Sequence, residues 1–312
     1  MIRHAFSADD CLTATDICWY IDCNDALKFL WSLPPQSVDL IFGSPPYETR
    51  RPYNIGFSLE GEAWVAWMVE VFRASLRVCR GLVAYVVEGT TKGFRYSAVP
   101  ALLMADLHRD GVCLRKPPAF HRRGIPGSGG PDWWRNDWEF IVCATNGGRL
   151  PWSDNTATGH QPRWAPGGEP SYRTKDGSRV NGSSKDGIES QSGRHPKPYA
   201  PPRLANPGNV VFCNVGGGHM GSKLAGRNQA PFPESLAFPF AVSYCRPGGI
   251  VCDPFSGSAT TGAVAVMNGR KYLGCDIDPE QVKLGALRIA EAEERMCAGP
   301  SDGALISPGD SK

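Results

Sequence analysis

The sequence has no long apolar run, no C-x-x-C pair, no internal repeat and almost no excess of one charge, and each absence removes a class of protein. Its longest apolar stretches, such as Leu82 to Val87, fall far short of the roughly 20 residues that a membrane-spanning helix needs. Met1 to Asp10 carries His, Arg and two Asp with no apolar segment, so the expectation is an untargeted, soluble, cytoplasmic chain. The eleven cysteines are scattered, mostly inside apolar stretches, which excludes a zinc-site spacing or a disulfide framework and reads as reduced, buried thiols. With 33 basic against 31 acidic residues the formal charge is +2, so any nucleic-acid surface must be a local patch. What remains is 312 residues, 41% hydrophobic, with 36 glycines and 27 prolines. Such a chain buries a sizeable core in one large domain or two small ones and carries long loops.

From Asp16 to Cys143 short β-rich runs alternate with helical patterns, the mark of βα units around a mostly parallel sheet. The expected strands are Ile17 to Asp22, Val38 to Phe42, Leu82 to Glu88 and Glu139 to Ala144. Between the second and third, Glu62 to Arg80 places Trp64, Trp67, Met68, Val71, Phe72 and Leu76 at helical spacing, read as a core-facing stripe. Arg149 to Asn206 breaks the pattern: 15 residues are Gly or Pro, and nine Lys or Arg stand against five Asp or Glu. A stretch of this length without secondary structure is functional or disordered. The alternation resumes with a strand Gly249 to Cys252, a helix Thr260 to Asn268, a strand Tyr272 to Asp276 and an amphipathic helix from Pro279, and a polar tail follows Met296.

Two stretches carry chemistry. In Val251 to Gly262 a strand ends in a turn of small residues, Asp253-Pro254-Phe255-Ser256-Gly257-Ser258, and opens a helix. Small residues admit a ligand close to the backbone, and free N–H groups at the helix start favour a carboxylate. Asp253 would repel a phosphate and welcome an ammonium or sulfonium. About 20 residues on, Asp276 closes the next strand, where a carboxylate accepts both hydroxyls of a ribose. Together these suit S-adenosylmethionine. Taken alone the turn is equally an ordinary tight connection; Asp276 favours the ligand. Asp278 and Glu280 read as charges complementing a helix dipole. The second stretch is Ser44-Pro45-Pro46-Tyr47, directly after a strand. Prolines donate no backbone hydrogen bond, so their carbonyls are expected to face a ligand, and a hydroxyl and a carbonyl accepting from a nucleobase NH₂ would aim its nitrogen while the Tyr ring stacks on the base.

At this point the chain resembles the amino-group DNA methyltransferases, which methylate cytosine N4 or adenine N6, in the permuted beta-class order. The resemblance runs from about Asp22 to Arg288. Asn24-Asp25-Ala26-Leu27 is similar to the segment before the catalytic strand, which implies that Asp25 lies near the adenine of the cofactor. Ser44 to Tyr47 is similar to the catalytic tetrapeptide, Arg77-Val78 with Gly81 to the end of the following helix, and Asp137-Trp138-Glu139-Phe140-Ile141 to a later strand. Ala230 to Leu236 matches a segment that packs Phe232 and Pro233 against the methionine moiety, and Asp253 to Ser258 matches the cofactor turn. Three positions depart from the family pattern: Ala259 replaces a Gly of the turn, Trp138 stands where His is common, and Arg227-Asn228-Gln229 replaces a basic His-Pro entry.

The resemblance implies an α/β Rossmann-like doubly wound sheet of the class I SAM-dependent methyltransferases, circularly permuted, with a loop-rich insertion. The expected division is a catalytic half at 1–148, a target-recognition insertion at 149–206, a cofactor-binding half at 207–295 and a flexible tail at 296–312. Ser44 in first position tilts the target toward cytosine N4, with adenine N6 as the alternative. Absence of a Pro-Cys dipeptide excludes a C5-cytosine mechanism through a thiolate. The target base must be flipped out of double-stranded DNA, and direct transfer requires no metal. In the insertion, Arg163, Arg173, Lys175, Arg179, Arg194, Lys197 and Arg203 are expected to meet phosphates or guanine edges, with Trp152, Trp164, Tyr172 and Tyr199 filling the base stack. His121-Arg122-Arg123 and Gly124 to Gly130 resemble a mobile loop at the substrate. Related enzymes often pair as homodimers; nothing in the chain names a recognition sequence or a restriction endonuclease partner. The rival readings are methylation of RNA or protein amides at a similar corner, and a catalytically silent DNA-binding module.

Overall fold

The computed structural model describes residues 2–48, 56–124, 129–162, 171–181, 202–216, 218–228 and 230–297. In chain order the first elements are β1 (Ile2–His4), α1 (Ala8–Thr13), β2 (Ile17–Cys23), α2 (Ala26–Ser32), β3 (Val38–Gly43), α3 (Gly61–Val78) and β4 (Cys79–Val87). A hairpin of β5 (Thr91–Lys92) and β6 (Arg95–Tyr96) leads to α4 (Val99–Arg109), β7 (Cys113–Arg115), β8 (Ala119–Arg123) and β9 (Trp138–Thr145). A second hairpin, β10 (Ser171–Arg173) and β11 (Arg179–Asn181), precedes β12 (Val210–Asn214). The chain ends through α5 (Glu234–Tyr244), β13 (Ile250–Asp253), α6 (Thr260–Met267), β14 (Lys271–Asp276) and α7 (Pro279–Cys297).

Among the described residues ten strands form one sheet, ordered β1-β2-β14-β13-β3-β4-β9-β8-β12, with β7 also on β9. From β1 to β4 every pairing is parallel, whereas β9 runs antiparallel to β4, β7 and β8. The parallel strands read as apolar runs because both of their faces are covered. Alternate residues divide between two cores: Ile41, Val83, Tyr85, Val87 and Cys252 face one, with Phe29, Trp64, Phe72 and Leu103 of α2, α3 and α4. Leu40, Phe42, Leu82, Ala84 and Val251 face the other, with Leu236 and Phe240 of α5, Val264 of α6 and Ile289 of α7.

The connection β3–α3–β4 therefore covers one face and β13–α6–β14 the opposite one, although β3 and β13 are neighbours. This divergence is a topological switch point, and in doubly wound sheets ligands bind beyond the carboxyl ends of the strands there. The chain divides into two compact units, Met1–Asp154 with Gly208–Lys312, and Asn155–Pro207. The second contains the β10–β11 hairpin, so part of the segment expected to lack secondary structure forms strands. Arg163, Arg194, Lys197, Trp164 and Tyr199 lie outside the described residues, as does the tail beyond 297.

Two boundaries differ from the sequence-based expectation. The helix ends at Val78 and β4 begins at once with Cys79, because Cys79 pairs with Val38. Gly81 is needed there: a Cβ would lie 1.9 Å from the Asp39 carbonyl oxygen. His121-Arg122-Arg123 is strand β8, held between β9 and β12, and not a mobile loop. A polar run beside a Gly-rich stretch looks like a loop in sequence; pairing on both sides overrides that signal.

Candidate active site

The carboxyl ends of β2, β3, β4, β13 and β14 open into a cleft of ≈ 350 Å³, within the size range of cofactor and small-molecule sites. Ser44, Pro45, Pro46 and Tyr47 line it from the end of β3, Asp25 from the start of α2, and Pro254, Phe255, Gly257 and Asp276 from β13 and β14. The two stretches singled out in the sequence, some 200 residues apart, thus share one cavity. Gly43 makes the approach of β3 and β13 possible, since a Cβ on it would sit 2.1 Å from Asp253 Oδ1.

At the β3 corner, Ser44 Oγ lies 3.3 Å from the Val86 carbonyl oxygen and 3.4 Å from the Tyr47 hydroxyl. Tyr47 donates to Glu139 Oε2 at 2.7 Å, and Glu139 is paired with Arg122 Nη1 at 2.9 Å. Glu139 and Arg122 both line the cleft, so hydroxyl, phenol, carboxylate and guanidinium form a continuous polar chain along its wall. The Pro46 carbonyl does not face a ligand: it accepts from Trp64 Nε1 at 2.9 Å. That bond and the acceptance by Glu48 Oε2 from Gly61 N at 2.8 Å fix the corner to α3.

On the far wall Trp67 packs edge-on against Phe255 at 5.7 Å and against Phe57 at 5.1 Å, and all three line the cleft. Trp67 belongs to the helical stripe read as core only. It stands in the second turn of α3, one turn beyond Trp64, and its half-buried indole lines the cavity. Phe232 lies opposite, edge-on to Phe42 at 5.8 Å, and Pro233 caps the N-terminus of α5. Asp25 Oδ1 accepts from Leu27 N and Lys28 N, both at 3.1 Å, so one carboxylate oxygen starts α2.

The turn after β13 is stitched to β14: Ser256 N donates to the Cys275 carbonyl at 2.8 Å and Gly257 N to Asp276 Oδ2 at 2.8 Å. Asp276 Oδ1 accepts from Asp278 N at 2.9 Å, and Asp278 itself lines the cleft besides capping α7 through Glu280 N. Gly257 has φ 48°, and Ala259, in place of the usual Gly, adopts φ 54° with its methyl fully buried. Left-handed backbone costs a Cβ-bearing residue about 1–2 kcal/mol, of which burying one methyl, worth about 0.8 kcal/mol, offsets a part.

Asp253 and Ser258, both expected at the cofactor, are not among the residues lining the cleft. Ser258 is buried beneath the turn, accepting from Arg288 Nη1 at 3.2 Å. Asp253 Oδ1 accepts from Phe255 N at 3.0 Å. Its Oδ2 is buried without a hydrogen-bond partner among the described residues; Thr261 interacts with this carboxyl, but its hydroxyl has no bonding geometry either. Burial first, then the negative charge of Asp276, push Asp253 up to about 7. In the unfolded chain the group titrates near 3.9. The folded state therefore holds the proton more tightly, and this group's contribution to stability is fully present below about pH 4 and is lost as pH rises to about 7. Thermal unfolding across that range is expected to show Asp253→Asn as more resistant than wild type at pH 8, with the difference narrowing at pH 5. A constant difference would remove this carboxyl as the cause.

The model of the DNA methylase family that methylates N6 and N4 amines matches residues 38–287, a span that includes both walls of the cleft. The chain belongs to the N6/N4 DNA methylase family. Among curated relatives, the DNA adenine methyltransferase YhdJ of Escherichia coli (strain K12) is 27% identical over 277 residues, covering 85% of this chain and 80% of that protein. Among solved structures, the PvuII DNA methyltransferase, cytosine-N4-specific, superposes with a TM-score of 0.61 at 20% identity over 93% of this chain and 95% of that one. The M1.HpyAVI–SAM complex superposes with a TM-score of 0.50 at 14% identity over 87% of this chain and 98% of the other.

Within this DNA methylase, Arg122 and Arg123 belong to strand β8, Arg122 lining the cleft and Arg123 exposed. Arg122 is largely buried in its pair with Glu139, and Arg123 lies over the Phe212 ring at 4.5 Å. In the second unit Arg173, Lys175 and Arg179 are exposed at the β10–β11 hairpin, where Arg173 Nη1 donates to the Gly177 carbonyl at 3.2 Å. Trp138, at the family's His position, does not line the cleft; strand alternation points it with Phe140 to the other side of β9, leaving Glu139 as the cleft residue. Glu139 was legible from that alternation alone. Arg288, fully buried and joined to Ser258, Thr260, Met220 and Glu234, had no local signal.

Proposed function

We propose that this DNA methylase transfers the methyl group of S-adenosylmethionine to N4 of a cytosine flipped out of double-stranded DNA, at the Ser44–Tyr47 corner. The single observation that carries the reading is the meeting of that corner with Gly257 and Asp276 in one cleft.

The residues present fit the cofactor. Phe57, Trp67 and Phe255 offer apolar walls, while Asp25 and Asp276 offer carboxylates and the turn offers Gly257 where a side chain would intrude. Among the described residues no Lys or Arg lines the cleft on the side of this turn, so the turn suits a zwitterion and not a pyrophosphate. Asp276 would take the ribose hydroxyls, Asp25 the adenine, and Phe232 and Pro233 the methionine moiety. When bound, the cofactor supplies an electrophilic methyl on a cationic sulfur. Ser44 Oγ, with its proton directed to the Val86 carbonyl at 3.3 Å, keeps lone pairs to accept from an exocyclic N–H. The Pro45 carbonyl accepts the other N–H, and the Tyr47 ring, held by Glu139, stacks on the base. Rate then comes from positioning and electrostatics, with no covalent enzyme intermediate.

The adenine-N6 reading draws its support from the Escherichia coli relative that is named an adenine methyltransferase. Incubating the protein with labelled S-adenosylmethionine and mixed-sequence DNA, followed by nucleoside mass spectrometry, separates the two: N4-methylcytosine is expected, and N6-methyladenine alone would replace cytosine by adenine. Asp276→Ala is expected to weaken S-adenosylmethionine binding by about 1.5–3 kcal/mol, the worth of a hydrogen bond to a charged group. Calorimetric titration that finds an unaltered dissociation constant removes Asp276 from the ribose.

A further inference from the structure

On the opposite side of β9 from the cleft lies a second recess of ≈ 620 Å³, walled by Trp133, Trp138, Phe140 and Tyr96 and floored by Glu88. Its aromatic faces are open: Trp133 is 39%, Trp138 42% and Tyr96 45% exposed. Trp138 leans on Phe140 with ring centroids 4.6 Å apart, and Trp133 on Phe94 at 5.5 Å. Glu88 is 3% exposed, with Oε1 accepting from the Tyr96 hydroxyl and from Gly89 N, both at 2.9 Å. Such a site has flat apolar sides and a carboxylate at its base, so it takes a planar ring that donates hydrogen bonds from its edge. Among the described residues one cation, Lys92, lines the recess. A planar donor carrying a phosphate fits the aromatic walls, the carboxylate and Lys92.

The recess is also joined to the cleft. Arg122 donates through Nη2 to the Asn136 carbonyl at 2.9 Å on the recess wall and through Nη1 pairs with Glu139 in the cleft. Glu48, next to Tyr47, accepts from the Thr90 hydroxyl at 3.1 Å. We propose that this recess binds a second nucleobase of the same DNA, one bearing an exocyclic amine and distinct from the base that is methylated, stacked on Trp138 and Trp133 and hydrogen-bonded to Glu88. This rests on the DNA-methylating reading and adds a specificity element to it.

The test uses the full chain with ten-nucleotide single strands of dC, dA or dT, followed by fluorescence anisotropy, alongside S-adenosylmethionine binding and steady-state methylation of mixed-sequence duplex. Trp138→Ala and Trp133→Ala are expected to weaken dC and dA strand binding about fivefold or more, the effect of losing one base–aromatic stack. KM for DNA should rise, while kcat and cofactor affinity stay near wild type. Glu88→Gln is expected to reduce the preference for dC over dT. Unchanged strand binding in both Trp variants overturns the proposal. So does a loss confined to kcat, which would make the recess part of the reacting-base pocket. A wild-type protein that transfers no methyl group to any DNA refutes the enzymatic reading instead, and is distinguished by that readout.

Discussion

Tyr47→Ala is expected to lower methyl transfer by about 10²-fold or more, the cost of misplacing a reacting group, while S-adenosylmethionine binds nearly as it does to the wild type. Two losses combine in this variant. On the proposed reading the base loses the ring on which it stacks, and Glu139, which is 6% exposed, loses the phenol that donates to its Oε2 at 2.7 Å. A buried acceptor stripped of a donor costs about 1–3 kcal/mol, and among the described residues Glu139 then keeps its pair with Arg122 at 2.9 Å. Tyr47→Phe divides the two contributions, because the ring stays and the hydroxyl goes; its transfer rate is expected to fall between those of Tyr47→Ala and the wild type. Single-turnover rates with labelled cofactor, with calorimetric titration of the cofactor in parallel, check both variants. Wild-type turnover by Tyr47→Ala removes this corner from the reaction.

Much of the fold was legible because its signals are local. The apolar runs of β3, β4, β13 and β14 reflect strands covered on both faces, and the small residues of the Asp253–Ser258 turn mark a backbone that approaches something closely. What could not be read depends on partners distant in sequence. Periodicity put Trp67 on the apolar stripe of α3 but cannot say that this part of the stripe reaches a cavity walled by Phe255. Motif order placed Asp253 and Ser258 at the cofactor, yet within one turn side chains point both ways, and these two face down into protein. The Pro46 carbonyl looked unclaimed until the fold brought Trp64 to it across 18 residues. His121 to Arg123 pairs with a strand some 90 residues later in the chain, which no neighbouring residue announces.

Arg288 and Glu234 give the largest expected effect on stability. Their side chains are 1% and 4% exposed and meet at 3.2 Å, across 54 residues of chain. Arg288 also donates to Thr260 Oγ1 at 2.7 Å at the start of α6 and to the Met220 carbonyl at 2.9 Å, so a single guanidinium ties α7 to the cofactor turn and to the N-terminus of α5. Burial already acts against its charge, lowering its pKa from the ordinary arginine value. Glu234→Ala leaves that cation in the interior without its buried carboxylate, with Arg295, another cation, close by and Glu291 as a remaining negative neighbour. Removing one partner of a buried pair costs about 3–5 kcal/mol, and chemical denaturation should show a loss of that order together with weaker cofactor binding, since Phe232 and Pro233 precede Glu234. Replacing the pair jointly, Glu234→Leu with Arg288→Met, removes the stranded charge and is expected to be less destabilising than Glu234→Ala alone. Lys283→Ala, which breaks a pair with Glu280 whose side chains are 70% and 72% exposed, should leave the denaturation midpoint nearly unmoved. Equal losses from the exposed and the buried pair would show that charge pairing, and not the stranding of a desolvated cation, sets the stability of this half of the molecule.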